Sequence, residues 1–222
     1  TTAPAVAYRR RLCTAAPATV DGPSALLSAA VRTNAWHQDA AQVEAAAILE
    51  RIWKKKVDRS RAPAPTGLYL HGEVGSGKTA LMEMLVQAGI SAGLNVRRMH
   101  FHELMQRVHG EMHLKRTPPE IGAALGREAS DLFCLDEMQI TDIADAAIVS
   151  RVLGGVLSAG ASLVATSNRP PSELYKNGLN RHVYIPQLVA TLDAHGIVTH
   201  ELIAQVSGGD YREVRARASA AP

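Results

Sequence analysis

Two spacings of hydrophobic residues alternate along this chain. Short, largely apolar runs predict β-strands at 67–71, 94–99, 132–136, 162–167 and 196–202. Between these runs apolar residues recur every three or four positions, which predicts helices at 78–92, 101–110, 119–129, 142–158, 171–178 and 186–195. Because short strands alternate with longer helices, the pattern predicts an α/β fold with a five-stranded parallel sheet and helices on both faces. Strands that are apolar throughout also predict a sheet buried on both sides.

The chain before the first strand has an organisation of its own. Helical spacing at 24–32 and 39–56 is followed by the proline-containing "RSRAPAPTG" at 59–67, which predicts a linker. The expected divisions are a disordered segment at 1–23, short N-terminal helices with their linker at 24–62, the α/β core at 63–212 and a frayed tail at 213–222.

Composition narrows the class of protein. With 222 residues, 46% of them hydrophobic, the chain is long enough to bury one good core. No stretch approaches 18 consecutive apolar residues, so no membrane-spanning helix is predicted. Cys13 and Cys134 are too few for a disulfide framework, and Cys134 lies in an apolar run that predicts a buried side chain. A reducing compartment is therefore expected.

The net charge of +3 is concentrated in two short basic runs, at 8–12 and 53–61. The second run fits a solvated helix end, because Lys and Arg favour a helix C-terminus, and the alternative is a patch for nucleic acid or anionic lipid. Residues 1–20 contain no acidic side chain and several Ala, Thr and Arg residues, a composition compatible with the remains of an organelle transit segment.

The stretch "LYLHGEVGSGKTALM" at 68–82 predicts a phosphate-binding loop between a strand and a helix. Glycines allow the backbone N–H groups to turn inward, and the following helix N-terminus favours an anion. Lys78 would bring a positive charge to the terminal phosphates, and the Thr79 hydroxyl would be a hard oxygen ligand for Mg²⁺. The predicted ATP-binding residues are Gly72, Glu73, Val74, Gly75, Ser76, Gly77, Lys78, Thr79 and Ala80. The alternative is a glycine-rich turn that binds nothing.

An acidic pair follows the apolar strand "LFCLD". Asp136 is predicted to hold Mg²⁺, through a water, and Glu137 to orient and deprotonate the attacking water. The alternative is an exposed acidic pair at a strand end. The chain lacks the N-K-x-D motif of small GTPases, so that class is excluded.

Polar residues after the next strand extend the candidate site. Asn168 is placed to hydrogen-bond the γ-phosphate and the attacking water, although a strand-end Asn also serves as a helix cap or turn residue. Arg181 lies beyond a predicted helical piece and is expected to reach the γ-phosphate of a neighbouring subunit. Arg169 is the other candidate for this role, and structural salt bridges are the alternative for both arginines.

Four histidines at 100, 102, 109 and 113 raise the question of a metal site. His109 and His113 share a helical face, but no carboxylate or cysteine completes a tetrahedral set in sequence. Packing, hydrogen bonding or a substrate-facing surface is the preferred interpretation.

Several segments together resemble the AFG1-like ATPases, a family of AAA+ proteins. They are "GLYLHGEVGSGKT", "HFHELMQRVH", "LFCLDEMQITDIADAAIVSRVL", "LVATSNRPPSELYKNGLNR" and "DYR". The resemblance runs from about residue 24 to residue 212, and "DAAQ" at 39–42 also matches the family. Family members continue well beyond the D-Y-R motif, so we expect this chain to be truncated or a divergent short form.

This resemblance implies a P-loop NTPase of AAA+ type that hydrolyses ATP with Mg²⁺ and works as a homo-oligomeric ring, commonly a hexamer. It also implies protein clients that are remodelled, extracted or degraded, among them membrane-bound respiratory-chain proteins of mitochondria. The bacterial cytoplasm, with peripheral membrane association, is the alternative location. By position, Lys78, Thr79, Asp136, Glu137 and Asn168 take the Walker A, Walker B and first-sensor roles, and Arg181 is the inter-subunit finger.

Two other functions remain open. A DNA-linked module of helicase-loader type shares this core, but aromatic residues make up only 4% of the chain and predict no stacking platform for nucleic acid. A scaffold that uses nucleotide only to assemble, without turnover, is the second.

Overall fold

A computed structural model of the chain describes residues 20–33, 36, 39–59 and 63–203. Most of the segment predicted to be disordered, part of the predicted linker, the D-Y-R motif and the predicted tail at 213–222 lie outside the described residues.

The described chain forms one five-stranded parallel sheet. Its strands are β1 (Gly67–Gly72), β2 (Val96–His100), β3 (Leu132–Asp136), β4 (Ser162–Ser167) and β5 (Ile197–Leu202). They lie in the order β2-β3-β4-β1-β5, and every neighbouring pair is parallel. The predicted α/β fold and parallel sheet are therefore confirmed. The order inserts β4 between β3 and β1, so the carboxyl ends of these three strands are adjacent.

Seven α-helices accompany the sheet in the described part of the chain. They are α1 (Pro23–Arg32), α2 (Ala40–Val57), α3 (Lys78–Ser91), α4 (Phe101–His113), α5 (Pro118–Ala129), α6 (Ile143–Ser158) and α7 (Arg181–Ala194). The starts of α2 and α6 are fixed by Asp39 and Asp142, whose carboxylates accept the N–H of the second helical residue. No described helix is both long and apolar enough to cross a membrane.

Three helix predictions are wrong in extent. The helix predicted to end at 110 continues to His113, because Met112 packs against the core beyond Gly110 and holds the last turn. The helix predicted at 171–178 is only a short 3-10 turn at Pro171–Glu173.

The helix predicted from 186 begins at Arg181 and contains Pro186 in its interior. A proline so close to a helix N-terminus removes one backbone hydrogen bond, and burial of Ile185, Leu188 and Leu192 favours the helix despite that loss.

Helices cover both faces of the sheet, and alternate strand residues supply the two cores. One core contains Leu68, Leu70 and Val164 with side chains of α1, α2 and α3. The other contains Tyr69 and Phe133 with side chains of α4, α5, α6 and α7. Burial on both sides is confirmed for β1, β3 and β4. It is wrong for β5, an edge strand with exposed residues, and only partial for β2 at the other edge.

The core contains one buried thiol and one close approach between helices. Cys134 is fully buried, as predicted, and burial raises the pKa of its thiol to about 12. Helices α5 and α6 approach closely at Gly122, where an added Cβ would lie 2.0 Å from the carbonyl oxygen of Val152.

Candidate nucleotide-binding site

The phosphate loop connects β1 directly to α3. Gly75 and Gly77 have φ angles of 85° and 93°, in the left-handed region that favours glycine. Glycine is needed at position 77 for a second reason, because an added Cβ would lie 2.8 Å from the indole ring of Trp36. Helix α3 then starts at Lys78, so its N-terminal N–H groups face the loop, an arrangement suited to binding phosphate.

The ammonium group of Lys78 lies inside the curve of this loop. Its Nζ donates to the carbonyl oxygens of Gly72 at 2.9 Å and Glu73 at 2.7 Å, and to Ser76 Oγ at 3.3 Å. The side chain is buried against the loop, so the positive charge is held where the loop N–H groups would meet a phosphate.

Asp136 links the acidic strand to the loop. Its Oδ1 accepts hydrogen bonds from Thr79 Oγ1 at 3.3 Å and Thr166 Oγ1 at 2.5 Å, while Oδ2 accepts from Arg98 Nη2 at 2.6 Å. Burial opposes ionisation of Asp136, but the bonds from Thr166 and Arg98 outweigh it and hold the pKa below its usual value. The two predicted Mg²⁺ ligands, Thr79 and Asp136, thus lie together, and a hydroxyl beside an ionised carboxylate suits Mg²⁺.

Glu137 follows the end of β3 in a left-handed conformation, with φ of 54°. Its N–H donates to Thr166 Oγ1 at 3.0 Å, which fixes the backbone, while its side chain is 74% exposed. Its Oε2 lies 3.9 Å from His100 Nδ1. The backbone of Glu137 is therefore fixed, while its carboxylate is exposed to solvent next to His100.

A cleft of about 1140 Å³ lies over these strand ends. Its lining includes predicted site residues from three parts of the chain, namely Val74, Gly75, Gly77, Lys78, Thr79, Ala80, Glu137 and Asn168. Arg169 also borders the cleft. The structure thus brings together the loop, the acidic residue and the polar residue that the sequence predicts to act together. The volume of the cleft is ample for a nucleotide.

Arg181, the first residue of α7, does not line this cleft, although its partner Leu174 does. Its guanidinium donates to the carbonyl oxygen of Leu174 at 3.0 Å and to that of Ser172. Its predicted role in a neighbouring subunit stays a prediction.

Comparison with known proteins shows the family of this chain. A sequence model of the AFG1-like ATPase family matches residues 2–221. The chain belongs to the AFG1-like ATPase family. The resemblance inferred from the motifs is thereby confirmed.

Two curated relatives show how far this AFG1-like chain extends. It is 38% identical to the cell division protein ZapE of Escherichia coli (strain K12) over 166 residues, which cover 73% of the chain and 42% of ZapE. It is also 38% identical to lactation elevated protein 1 homolog B of Danio rerio over 155 residues, which cover 62% of the chain and 30% of that protein. The AFG1-like chain therefore spans less than half the length of either relative.

A solved structure supports the fold. The AMPPCP-bound DnaA from Aquifex aeolicus superimposes with a TM-score of 0.55 at 13% identity, covering 83% of this chain and 52% of DnaA. At that identity the likeness shows the fold alone, and it confirms the predicted P-loop fold of AAA+ type.

Several contacting residues of the AFG1-like site were not predicted from its sequence. Thr166 binds both Asp136 and the backbone of Glu137, and its position near the end of the strand before Asn168 was the available signal. Arg98 is a charged residue within a strand, which is unusual enough to suggest a partner.

Helix α2 and Trp36, which precedes it, also contact the loop. Gln42 Nε2 donates to the carbonyl oxygen of Ser76 at 3.1 Å, and Trp36 Nε1 donates to Gln42 Oε1. The "DAAQ" segment gave a signal here, since Gln42 is its last residue.

The histidine-rich helix does not form a metal site in the described residues. No group of three or more His, Cys, Asp or Glu side chains there is arranged to hold a metal ion. His109 Nε2 instead lies 2.7 Å from Asp145 Oδ1, which joins α4 to α6. This contact agrees with the hydrogen-bonding interpretation for that histidine.

Proposed function

We propose that this AFG1-like chain binds ATP with Mg²⁺ in the cleft over β1, β3 and β4 and hydrolyses its terminal phosphate. The observation that carries the proposal is the 3.3 Å contact between Thr79 Oγ1 and Asp136 Oδ1. These atoms are 57 residues apart in sequence, and their contact joins the phosphate loop to the acidic strand. Membership of an ATPase family supports the same activity.

The proposed chemistry follows from the position of each side chain. Lys78 and the loop N–H groups neutralise charge on the phosphates, and the Asn168 amide holds the terminal phosphate and a water. Glu137 takes a proton from that water, whose oxygen attacks the phosphorus in line while the bond to the bridging oxygen of ADP breaks. Mg²⁺, held by Thr79 and through a water by Asp136, would supply further neutralisation of phosphate charge.

A phosphate-release assay with three variants tests this proposal. Glu137→Gln is expected to keep nucleotide affinity but to lose at least about 100-fold in turnover, the usual range for a general base. Lys78→Ala is expected to lose both, because its charge acts on bound nucleotide and on the transition state. Glu44→Gln, an exposed change on α2, is the matched control and should behave as wild type. Equal turnover of Glu137→Gln and wild type would remove the assignment.

We also propose that turnover drives the remodelling of protein clients by a homo-oligomeric ring, in mitochondria and with peripheral membrane contact. The family resemblance supports the clients and the ring, and the acid-free, arginine-containing first 20 residues support the location. Measuring turnover separately from ATP-dependent oligomerisation tests the ring. Oligomers that form with ATP but release no phosphate would favour a scaffold, and salt-sensitive binding of single-stranded DNA would favour a DNA-linked module.

A further inference from the structure

One guanidinium group bridges two carboxylates beside the cleft. Arg98 Nη2 donates to Asp136 Oδ2 at 2.6 Å, and Arg98 Nη1 forms an ion pair with Glu83 Oε2. The other oxygen of Asp136 already accepts from Thr79 and Thr166. Both carboxylate oxygens of Asp136 therefore have hydrogen-bond donors within the protein.

The fold explains why these groups meet. Arg98 pairs with Cys134 across β2 and β3, and His100 pairs with Asp136, so Arg98 and Asp136 share one face of the sheet. Glu83 lies one turn after Thr79 on α3, which covers that face, and it borders the cleft. Arg98 thus joins Asp136, which accepts from the Thr79 hydroxyl, to Glu83, which lies one turn further along α3.

The charges of Asp136, Glu83 and Arg98 determine how strongly a divalent cation binds near Thr79. Asp136 is 2% exposed and Glu83 is 35% exposed, so a divalent cation near Thr79 would meet one buried and one half-buried carboxylate. Oxygen ligands of this kind bind Mg²⁺ and related ions. The guanidinium offsets one of the two negative charges, repels a divalent cation near Thr79 and occupies one oxygen of Asp136.

We propose that Arg98 is a positioning residue that weakens binding of divalent cations to the nucleotide-free protein, so that the metal enters together with a triphosphate. The inference rests on the proposed function, since it concerns the order in which metal and nucleotide bind. A triphosphate bound in the cleft would add several negative charges near the cation, and these would restore metal affinity while Arg98 keeps its place.

Titration of Mn²⁺ into the nucleotide-free chain, followed by the free-ion signal in electron paramagnetic resonance, tests the inference. Arg98→Gln is expected to bind Mn²⁺ about tenfold more tightly than wild type, since a unit charge and a divalent ion a few ångström apart repel by roughly that factor in a water-like dielectric. Arg97→Gln is the matched control. Its side chain lies on the opposite face and pairs with Glu128, so its Mn²⁺ affinity should equal that of wild type.

Two further variants separate charge from structural damage. Glu83→Gln removes one acid and leaves Arg98 on Asp136 alone, so Mn²⁺ binding should weaken relative to wild type. Arg98→Lys keeps the positive charge, which is the feature that opposes the cation, and should stay within about twofold of wild type. The inference is overturned if Arg98→Gln binds Mn²⁺ no more tightly than wild type, or if Arg98→Lys tightens it equally. Should Arg98→Gln not fold, unchanged or tighter binding by Glu83→Gln overturns it.

Repeating the titration with AMPPCP distinguishes this inference from the proposed function. AMPPCP should raise the Mn²⁺ affinity of wild type and of Arg98→Gln by a similar factor, because Arg98 keeps its charge and its position in both states. If wild type binds no AMPPCP, the proposed function fails, and the nucleotide-free titration still decides whether Arg98 weakens metal binding.

Discussion

Replacing Thr166 by Val tests whether one buried hydroxyl organises the acidic end of the site. Thr166 Oγ1 donates to Asp136 Oδ1 and accepts from the N–H of Glu137, and the residue is buried. Valine keeps the shape of the side chain, so no cavity forms, but both hydrogen bonds are lost. Asp136 would then keep only Thr79 and Arg98 as donors.

The expected cost follows from these two bonds. A hydrogen bond to a charged group contributes roughly 1.5–3 kcal/mol, and leaving a buried N–H without a partner costs about 1–3 kcal/mol. We expect Thr166→Val to lower the free energy of unfolding by about 3 kcal/mol, which in a domain of this size lowers Tm by roughly 6–12 °C. Turnover should fall as well, since Asp136 and Glu137 both lose their anchor.

The stability difference between wild type and Thr166→Val should depend on pH in one direction. The pKa of Asp136 is held below its usual value, because hydrogen bonds from Thr166 and Arg98 outweigh burial. A depressed carboxyl pKa contributes stability that is present above the pKa of an unfolded Asp, about 3.9, and is lost as pH falls through the folded pKa. The difference between wild type and Thr166→Val should therefore be full at neutral pH and shrink below about pH 4.

Urea unfolding followed by tryptophan emission measures this difference, since Trp36 and Trp53 are both buried. Thr166→Ser retains the hydroxyl and is the control, with an expected loss of only about 1 kcal/mol from the missing methyl group. A Thr166→Val protein as stable as wild type at neutral pH, or a difference that grows on acidification, would refute the reasoning.

Three further predictions concern other contacts. Gly122→Ala should lower the free energy of unfolding by about 1–3 kcal/mol in urea titrations, because its Cβ meets the backbone of α6, whereas Gly110→Ala, with open space, should raise it by up to about 1 kcal/mol. Gln42→Leu should cost about 1–3 kcal/mol and weaken ATP binding in calorimetry, since the phosphate loop loses its donor; unchanged affinity would contradict this. Mixing Arg181→Ala with Glu137→Gln should restore phosphate release if the arginine acts between subunits, and a mixture as inactive as its components would argue against it.

The best-predicted elements are those whose local pattern and tertiary packing agree. Strands β3 and β4 have the bounds that the sequence predicts, because their apolar runs are central in the sheet and buried on both faces. The start of α7 was missed, because Pro186 is a strong local signal for a helix start while the energetically larger effect is burial of the helix face.

The residues of the site also differ in whether local sequence predicts their contacts. The turn from β1 to α3 could be predicted, because Lys78 contacts loop atoms only five or six residues away. Thr166 and Arg98 could not be assigned to Asp136, which lies 30 and 38 residues from them in sequence. Residue patterns over a few positions do not indicate which distant residues will be in contact.

The amino-acid pattern alone predicts that a glycine-rich loop with a lysine and a threonine follows one strand, and that an acidic pair ends another. These features depend on backbone freedom and side-chain chemistry within a few residues. The position of β4 between β3 and β1, and the binding of both Arg98 and Thr166 to Asp136, follow from long-range packing and are seen only in the folded chain. Strand order follows from how all the helices bury their apolar faces on one sheet, and that packing depends on the whole chain at once.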